Sequence, residues 1–342
     1  MLIKIDIFSQ KPVYKQIIEQ IAEQIQSEVL KDGDQMPSMN VLASDLQISM
    51  ETIKKAYNIL RHKGLIDSKQ GKGYYVFKNK DPHIKILLLF DKISTYKQVL
   101  YSSFASNIGD DVEVTIRLHN QDIDLFEQFI EENIDRFDYY CITPHFPLEA
   151  SVQKRVKKIL KKIPNRKLII LDRLIENIPG NYGSVYQDCE QDVMIGLSQG
   201  LNDIRKYNKL KVLSMPGSLY APLLSKGIVQ FCSEHRIDYE FFYHTRHPDM
   251  IQKGDLFLIL NSQLDVELIE IARVAKARGF QIGKDIGIIS YNESPINEII
   301  LGGLTVLSTN FEQMGRLTAQ MIHEKKMKKV KCDFRLIRRS TF

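Results

Sequence analysis

Between positions 38 and 55 the chain gathers Ser38, Asn40, Ser49, Thr52, Lys54 and Lys55. Hydroxyl and amide groups can read the edges of nucleic-acid bases, and ammonium groups can reach phosphates. A second set lies further along. Asp91, Thr143, Asp172–Arg173, Asn261–Ser262 and Asn292–Glu293 each follow an apolar, strand-like run. Carboxylate, hydroxyl and amide groups at such places can donate to and accept from a small polar molecule. Neither set composes a catalytic device: G-x-S-x-G, a P-loop and G-x-G-x-x-G after a strand are all missing. His244 and His247 read as a surface pair rather than a metal site. No catalytic residue, metal or cofactor is expected.

The first set needs short helices to position it. Ile17, Ile21 and Ile25 recur at helical spacing, and the pattern predicts a first helix from about Pro12 to Val29. Pro12 suits a first-turn position, where a missing N–H costs nothing. Ser38 can cap a short second helix with Leu42, Ala43 and Leu46 inward. After the turn at Gln47–Ile48, Ser49 can cap a third, with Ile53, Ala56, Tyr57 and Leu60 inward. Two short helices about a tight turn, the second opening on small polar residues, make a helix-turn-helix pattern. Leu65–Ile66 and Tyr74–Phe77 read as strands around the tip Lys69-Gln70-Gly71-Lys72-Gly73, where glycines let the backbone approach a phosphate closely.

Charge agrees. Residues 1–46 carry four lysines against seven acids, net −3, whereas residues 47–80 carry seven lysines and Arg61 against Glu51 and Asp67, net +6. A basic half on a small domain suits a polyanionic partner. With 342 residues and 44% apolar content, two or three units with ordinary cores are expected. No run reaches the ~20 apolar residues of a membrane span. The N-terminal MLIKIDIFSQ does not read as a secretory signal. Cys141, Cys189, Cys232 and Cys332 lie far apart, as expected of reduced thiols in a cytoplasmic protein.

The head resembles the GntR family of bacterial winged-helix repressors over residues 8–77. The resemblance is carried by P-V-Y-K-Q-I, G-D-x-M-P-S, L-A-x-D-L, T-I-K-K-A-Y-x-x-L, K-G-L-I and G-K-G-Y-Y-V. It implies that Ser38, Thr52, Lys54, Lys55, Tyr57 and Gly73 lie at DNA; Asn40, Ser49 and Lys72 are further candidates for that interface by their chemistry, Asn40 as a reader of adenine. Asn40 and Met50 stand where the family usually has arginines, the usual readers of guanine, so the operator should differ from the family's common one.

Beyond a polar linker at 79–84, apolar runs at 85–90, 113–118, 139–143, 167–172, 211–216, 255–260 and 286–292 alternate with amphipathic segments. This predicts an α/β body with parallel sheets covered on both faces, in two lobes. In such sheets ligands bind beyond the carboxyl ends of the strands. From about Lys85 to Phe342 the order of features resembles the effector domain of LacI repressors, which is built like periplasmic sugar-binding proteins. LDR (171–173), SVYQDCEQDVMIGLSQGL (184–201), GKDIGIISYNE (283–293) and LTVLSTNFEQMGRLTAQMI (304–322) carry it. The resemblance implies sugar contacts by Asp172, Asn261 and Asn292, and a cleft-lining crossover at Thr309 and Phe311. Leu224 replaces a common arginine and Asn292 a common aspartate, which argues against a typical hexose or purine effector and against a strongly anionic ligand. Tyr220 and Tyr243 could supply replacement contacts.

The expected architecture is an N-terminal winged helix-turn-helix (1–78), a linker (79–84) and a two-lobed periplasmic-binding-protein-like α/β domain (85–342). The expected function is a cytoplasmic, homodimeric regulator, a repressor in the first instance. Its affinity for a palindromic double-stranded operator would follow a small molecule, a sugar or sugar derivative. The alternative is an enzyme or small-molecule-binding protein with a nucleic-acid-binding head.

Overall fold

The amphipathic run after Pro12 folds as α1 (Val13–Gln26), followed by α2 (Met39–Asp45) and α3 (Met50–His62). The computed structural model describes residues 3–6, 9, 11–69, 73–77, 84–214, 218–243, 250–260 and 266–342. α1 stops three residues before the expected Val29. Ser27 folds its hydroxyl back onto the Glu23 carbonyl, Glu28 turns left-handed (φ 59°), and Val29 is exposed. Ser38 and Ser49 cap α2 and α3 as the sequence suggests, accepting from Val41 N and Thr52 N at 3.3 Å. A two-stranded antiparallel hairpin, β1 (Ile66–Lys69) and β2 (Gly73–Val76), closes the unit. Ile17, Ile21, Ile53, Ala56, Tyr57, Leu60, Ile66 and Val76 belong to its core, each Ile, Leu or Val side chain contributing about 1.5–3 kcal/mol through burial.

Contacts divide the chain into Met1–His83 and Ile84–Phe342. All of the expected linker 79–84 except Ile84, which opens β3, lies outside the described residues. The second unit holds two six-stranded sheets. The first contains β3 (Ile84–Phe90), β4 (Val112–Leu118), β5 (Tyr139–Ile142), β6 (Leu168–Arg173), β7 (Gly183–Gln187) and β13 (Lys329–Lys331), in the order β13-β7-β6-β5-β3-β4. The second contains β8 (Lys209–Leu213), β9 (Tyr239–Phe242), β10 (Asp255–Ile259), β11 (Gly287–Tyr291), β12 (Thr305–Thr309) and β14 (Phe334–Ile337), in the order β14-β12-β11-β10-β8-β9. All neighbours run parallel except β12 and β14.

The helices are α4 (Thr95–Ile108), α5 (Ile123–Asn133), α6 (Ala150–Leu160), α7 (Cys189–Gln199), α8 (Leu201–Ile204), α9 (Ala221–His235), α10 (Val266–Arg278) and α11 (Phe311–Glu324). The continuous apolar strands are explained by cover on both faces. On β3, Ile86, Leu88 and Phe90 enter one core, and Leu87 and Leu89 the other. Five strands were not anticipated: β7, β9, β12, β13 and β14. β7 opens on Gly183, where a Cβ would lie 3.0 Å from the sulfur of Met327 and 3.1 Å from Ile169 Cγ1 of β6.

The chain crosses between the lobes three times. β7 of the first sheet leads into α7, which packs on α9, β12 and β14 of the second. β12 then leads back into α11, which packs on α4, β6 and β7, and β13 passes directly to β14. Backbone bonds tie these crossings together: Asn310 N donates to Asp333 O (2.9 Å) and Cys332 N to Tyr186 O (2.8 Å). Two helix pairs approach closely, one in each lobe, among the described residues. A Cβ on Gly315 would lie 2.3 Å from Leu100 O of α4, and one on Gly227 would lie 2.2 Å from Glu190 O of α7.

Candidate functional site

The head presents its polar residues on α2, α3 and the hairpin. Asn40 lies exposed on α2. Ser49 and Thr52 sit in the first turn of α3, their hydroxyls 2.7 Å apart. Lys54 and Lys55 follow, both exposed. Lys54 reaches Glu51 at 3.4 Å, and Lys55 Nζ sits 4.1 Å from the centroid of the Tyr14 ring. Exposed pairs of this kind hold weakly, so both ammonium groups are free to move to phosphate oxygens. The N-terminus of α3 adds a partial positive charge to the same face. Gly73 opens β2 with φ 79° and open space at its Cβ position. Lys72 lies outside the described residues.

Tyr57 is a correction. The resemblance put it at DNA, but its ring is fully buried against Tyr74 and its hydroxyl donates to Pro37 O at 2.9 Å. It pins the segment leading into α2 and so sets where Ser38 and Asn40 stand. Burial pushes its hydroxyl pKa well up.

In the second unit the strand-end residues converge. Asp91 follows β3, Thr143 follows β5, Asp172 and Arg173 end β6, Asn292 follows β11 and Thr309 ends β12. Asp172 (φ 71°) and Asn292 (φ 68°) adopt left-handed backbone, one in each lobe. Asp and Asn tolerate that conformation better than other residues with a Cβ, yet it still carries strain, and strain of this kind gathers at functional sites. Asn261 lies outside the described residues, as do His244 and His247.

Sequence reasoning missed what joins these groups. Lys97, in the first turn of α4, is wholly buried and pairs with Asp91 Oδ1. Thr143 Oγ1 donates to the same oxygen (3.2 Å), and His145 Nδ1 lies 3.3 Å from it. His145 Nε2 lies 2.9 Å from Asp172 Oδ2, which also accepts from the Tyr96 hydroxyl at 3.2 Å. Gln187 donates to Asp172 Oδ1 and accepts from Thr309 Oγ1 at 2.7 Å. A hydrogen-bonded chain therefore runs from β12 of one lobe, through the end of β7, into the carboxylate of the other.

Both nitrogens of His145 face carboxylates, an arrangement suited to an imidazolium, which donates from both. The quartet Asp91, Asp172, Lys97 and His145 is then neutral as a whole, which is how buried charge is tolerated. For Asp91, burial alone would raise the pKa, but His145 and Lys97 hold it far below the usual range. For Asp172, burial again works upward and is outweighed by His145, Lys97 and the Gln187 bond. For His145, burial and Lys97 press downward, yet the two carboxylates keep its pKa raised. Nearby His119 behaves oppositely. Burial lowers it to about 4, with Nε2 3.0 Å from Thr143 O and Nδ1 accepting from Gln121 N.

Two cavities flank the quartet. One, of about 320 Å³, is walled by Gln153, Lys157, Asp172, Arg173, Gln187 and Tyr220 among others. The second, of about 240 Å³, takes Ser94, Thr95 and Gln98 from one lobe and Ser290, Asn292 and Asn297 from the other. Tyr220 of the second lobe packs edge-on against His145 of the first, ring centroids 4.9 Å apart. Asp91 and Thr143 wall neither cavity and close the site from behind. Thr309 and Phe311 border a third hollow of about 410 Å³, which takes Val99 from one lobe and Glu293, Arg335 and Arg339 from the other. Phe311 is buried against Tyr96, centroids 4.4 Å apart, because α11 presses it onto α4.

Among the described residues, no helix is long and apolar enough to cross a membrane, and no cluster of His, Cys, Asp and Glu suits a metal. Comparisons with known proteins divide as the structure does. Residues 13–76 match the family described as bacterial regulatory proteins, gntR family, and residues 207–341 match the periplasmic binding protein-like domain. The HTH-type transcriptional repressor YtrA of Bacillus subtilis (strain 168) is 34% identical over 99 residues, which cover 29% of this chain and 73% of YtrA. A LacI family transcriptional regulator from Lactobacillus casei, solved with bound sucrose, matches 75% of this chain and 99% of its own with TM-score 0.57 and 15% identity. One from Arthrobacter sp. FB24, in complex with lactose, matches 76% and 99% with TM-score 0.56 and 14% identity. These two likenesses are of fold.

Proposed function

As a chain that belongs to the gntR family of bacterial regulatory proteins and carries a periplasmic-binding-protein-like body, we propose, it is a cytoplasmic repressor whose hold on its operator follows a sugar or sugar derivative bound between the two lobes. The observation that carries this reading is the meeting of strand ends from both lobes, with strained Asp172 and Asn292, around cavities of small-molecule size. The sucrose and lactose in the structural neighbours support a sugar.

The head meets DNA through Ser38, Asn40, Ser49, Thr52, Lys54, Lys55, Lys72 and Gly73. The lysines hold phosphates, while the polar first turns of α2 and α3 reach base edges. In the cleft, Asp172, Arg173, Tyr220, Asn261 and Asn292 contact the ligand. The active species is a homodimer on a palindromic operator, since a two-fold pair of heads matches two half-sites. Exposed Ile93 and Tyr101 at α4, Val266 and Ile269 on α10, and Ile296 and Ile299 supply apolar surface for pairing the bodies. Ligand acts by binding one lobe arrangement better than the other, and a coupling of about 1–3 kcal/mol would change operator affinity roughly 5- to 150-fold.

The test is thermal unfolding of the full chain against pentoses, hexoses, deoxysugars and their derivatives, followed by operator binding with and without any hit. A ligand at 100 times its Kd adds about 2.7 kcal/mol, a visible shift. A hit that leaves operator affinity unchanged would sink the regulatory reading, and turnover of the hit would favour an enzyme.

A further inference from the structure

The two carboxylates nearest the cleft are already answered from within the protein. Asp91 is engaged by Lys97, Thr143 and His145, and Asp172 by His145, Tyr96 and Gln187. What remains unanswered on the wall of the 320 Å³ cavity is a set of donors. Arg173 Nη1 and the Tyr220 hydroxyl are both shielded from solvent and have no hydrogen-bond partner among the described residues. Lys157, half-buried on α6, has no ion pair among them either. A shielded guanidinium nitrogen without an acceptor is costly, so its counterpart is expected to arrive from outside.

We propose that the effector carries an anionic group, a phosphate or a carboxylate, which Arg173 and Lys157 hold in this cavity while Tyr220 donates to it. The assignment rests on the reading of the interlobe cleft as the effector site. The other acids on this wall do not oppose it. Asp188 is turned to cap α7, accepting from Gln191 N at 3.2 Å, and Glu176 is exposed. Lys154 and Lys158 of α6 and Lys161 at its C-cap share a neighbouring hollow with Lys157 and add positive charge on that side. Leu224 removes the arginine expected from the second lobe, which alone argues against an anion. In the structure the first lobe provides the positive charge instead.

The experiment is calorimetric titration of the full chain with matched probes: glucose, glucose 6-phosphate and gluconate; ribose and ribose 5-phosphate; and inorganic phosphate alone. An anionic member of at least one set should bind about tenfold or more tighter than its neutral parent, and the phosphate and gluconate arms separate the two anion types. Arg173→Gln and Lys157→Gln should each erase that preference, and Arg173→Lys, which keeps the charge, should recover part of it. Lys157 lies on a half-exposed helix face, so its variant reads binding even if the Arg173 variants fold poorly. Neutral parents binding as tightly as the anions, or a preference that survives both Gln variants, would overturn the anionic assignment and leave the cleft reading standing. Silence from every probe would overturn both.

Discussion

Replacing Lys97 with methionine should strongly destabilise the second unit. The side chain is fully buried, and its partner Asp91 is 1% exposed, so neither group can recover water when the other is removed. Breaking a buried pair by deleting one partner costs about 3–5 kcal/mol, because the survivor is left charged and dry. For a domain of this size each kcal/mol moves Tm by roughly 2–4 °C, so Lys97→Met should lower the transition of the body by about 6–20 °C. His145 would then be the sole cation facing both Asp91 and Asp172. Adding Asp91→Asn removes the stranded charge, so the double variant should be more stable than Lys97→Met alone. Calorimetry or circular dichroism on the three proteins measures this. A loss under about 1 kcal/mol, or a double variant no better than the single, would refute the neutral-quartet reasoning.

Other outcomes can be checked alongside. The body should lose stability as pH rises through the raised pKa of His145, since a group raised above its unfolded value of 6.5 stabilises fully below that value. His145→Gln should remove this alkaline limb in a Tm-versus-pH series and weaken the acid limb as well, because His145 is the main group holding Asp91 and Asp172 low against burial. Lys54→Ala with Lys55→Ala should weaken binding to all DNA sequences and reduce the salt slope by roughly one unit per lysine in each head, and an unchanged slope in mobility-shift titrations removes them from the interface. Gly315→Ala would push a methyl to 2.3 Å from Leu100 O and should destabilise the body by about 1–3 kcal/mol in denaturant unfolding.

The strand-end rule found Asp172, Arg173 and Asn292 because each follows a run of buried aliphatics that only a doubly covered strand requires. The same rule stopped short at Thr143 and so missed His145, two residues on. Lys97 gave no signal, since a lysine in a helix is exposed by default and only the fold shows this one turned inward. β7 was illegible as a strand because it is short and opens on glycine and serine, and its glycine answers the crowding by Met327 and Ile169, a demand set by tertiary packing. The head was the most readable part, its caps and inner faces being local. Helical spacing placed Tyr57 inward, as it is, while the resemblance placed it at DNA, and its hydroxyl instead reaches Pro37, twenty residues away.

The third crossing has a consequence for how the protein is made. β13 completes one edge of the first sheet and β14 one edge of the second, and the Thr341 hydroxyl bonds Ile288 O while accepting from Thr305 N. On the ribosome, residues 329–342 emerge after every other strand of both lobes. Until they do, β7 and β12 each stand as an open edge, able to pair with a foreign strand. The head has long since emerged complete by that time. A nascent or prematurely terminated chain would thus carry a folded DNA-binding unit on an unfinished, aggregation-prone body, and quality control rather than ligand would decide its fate.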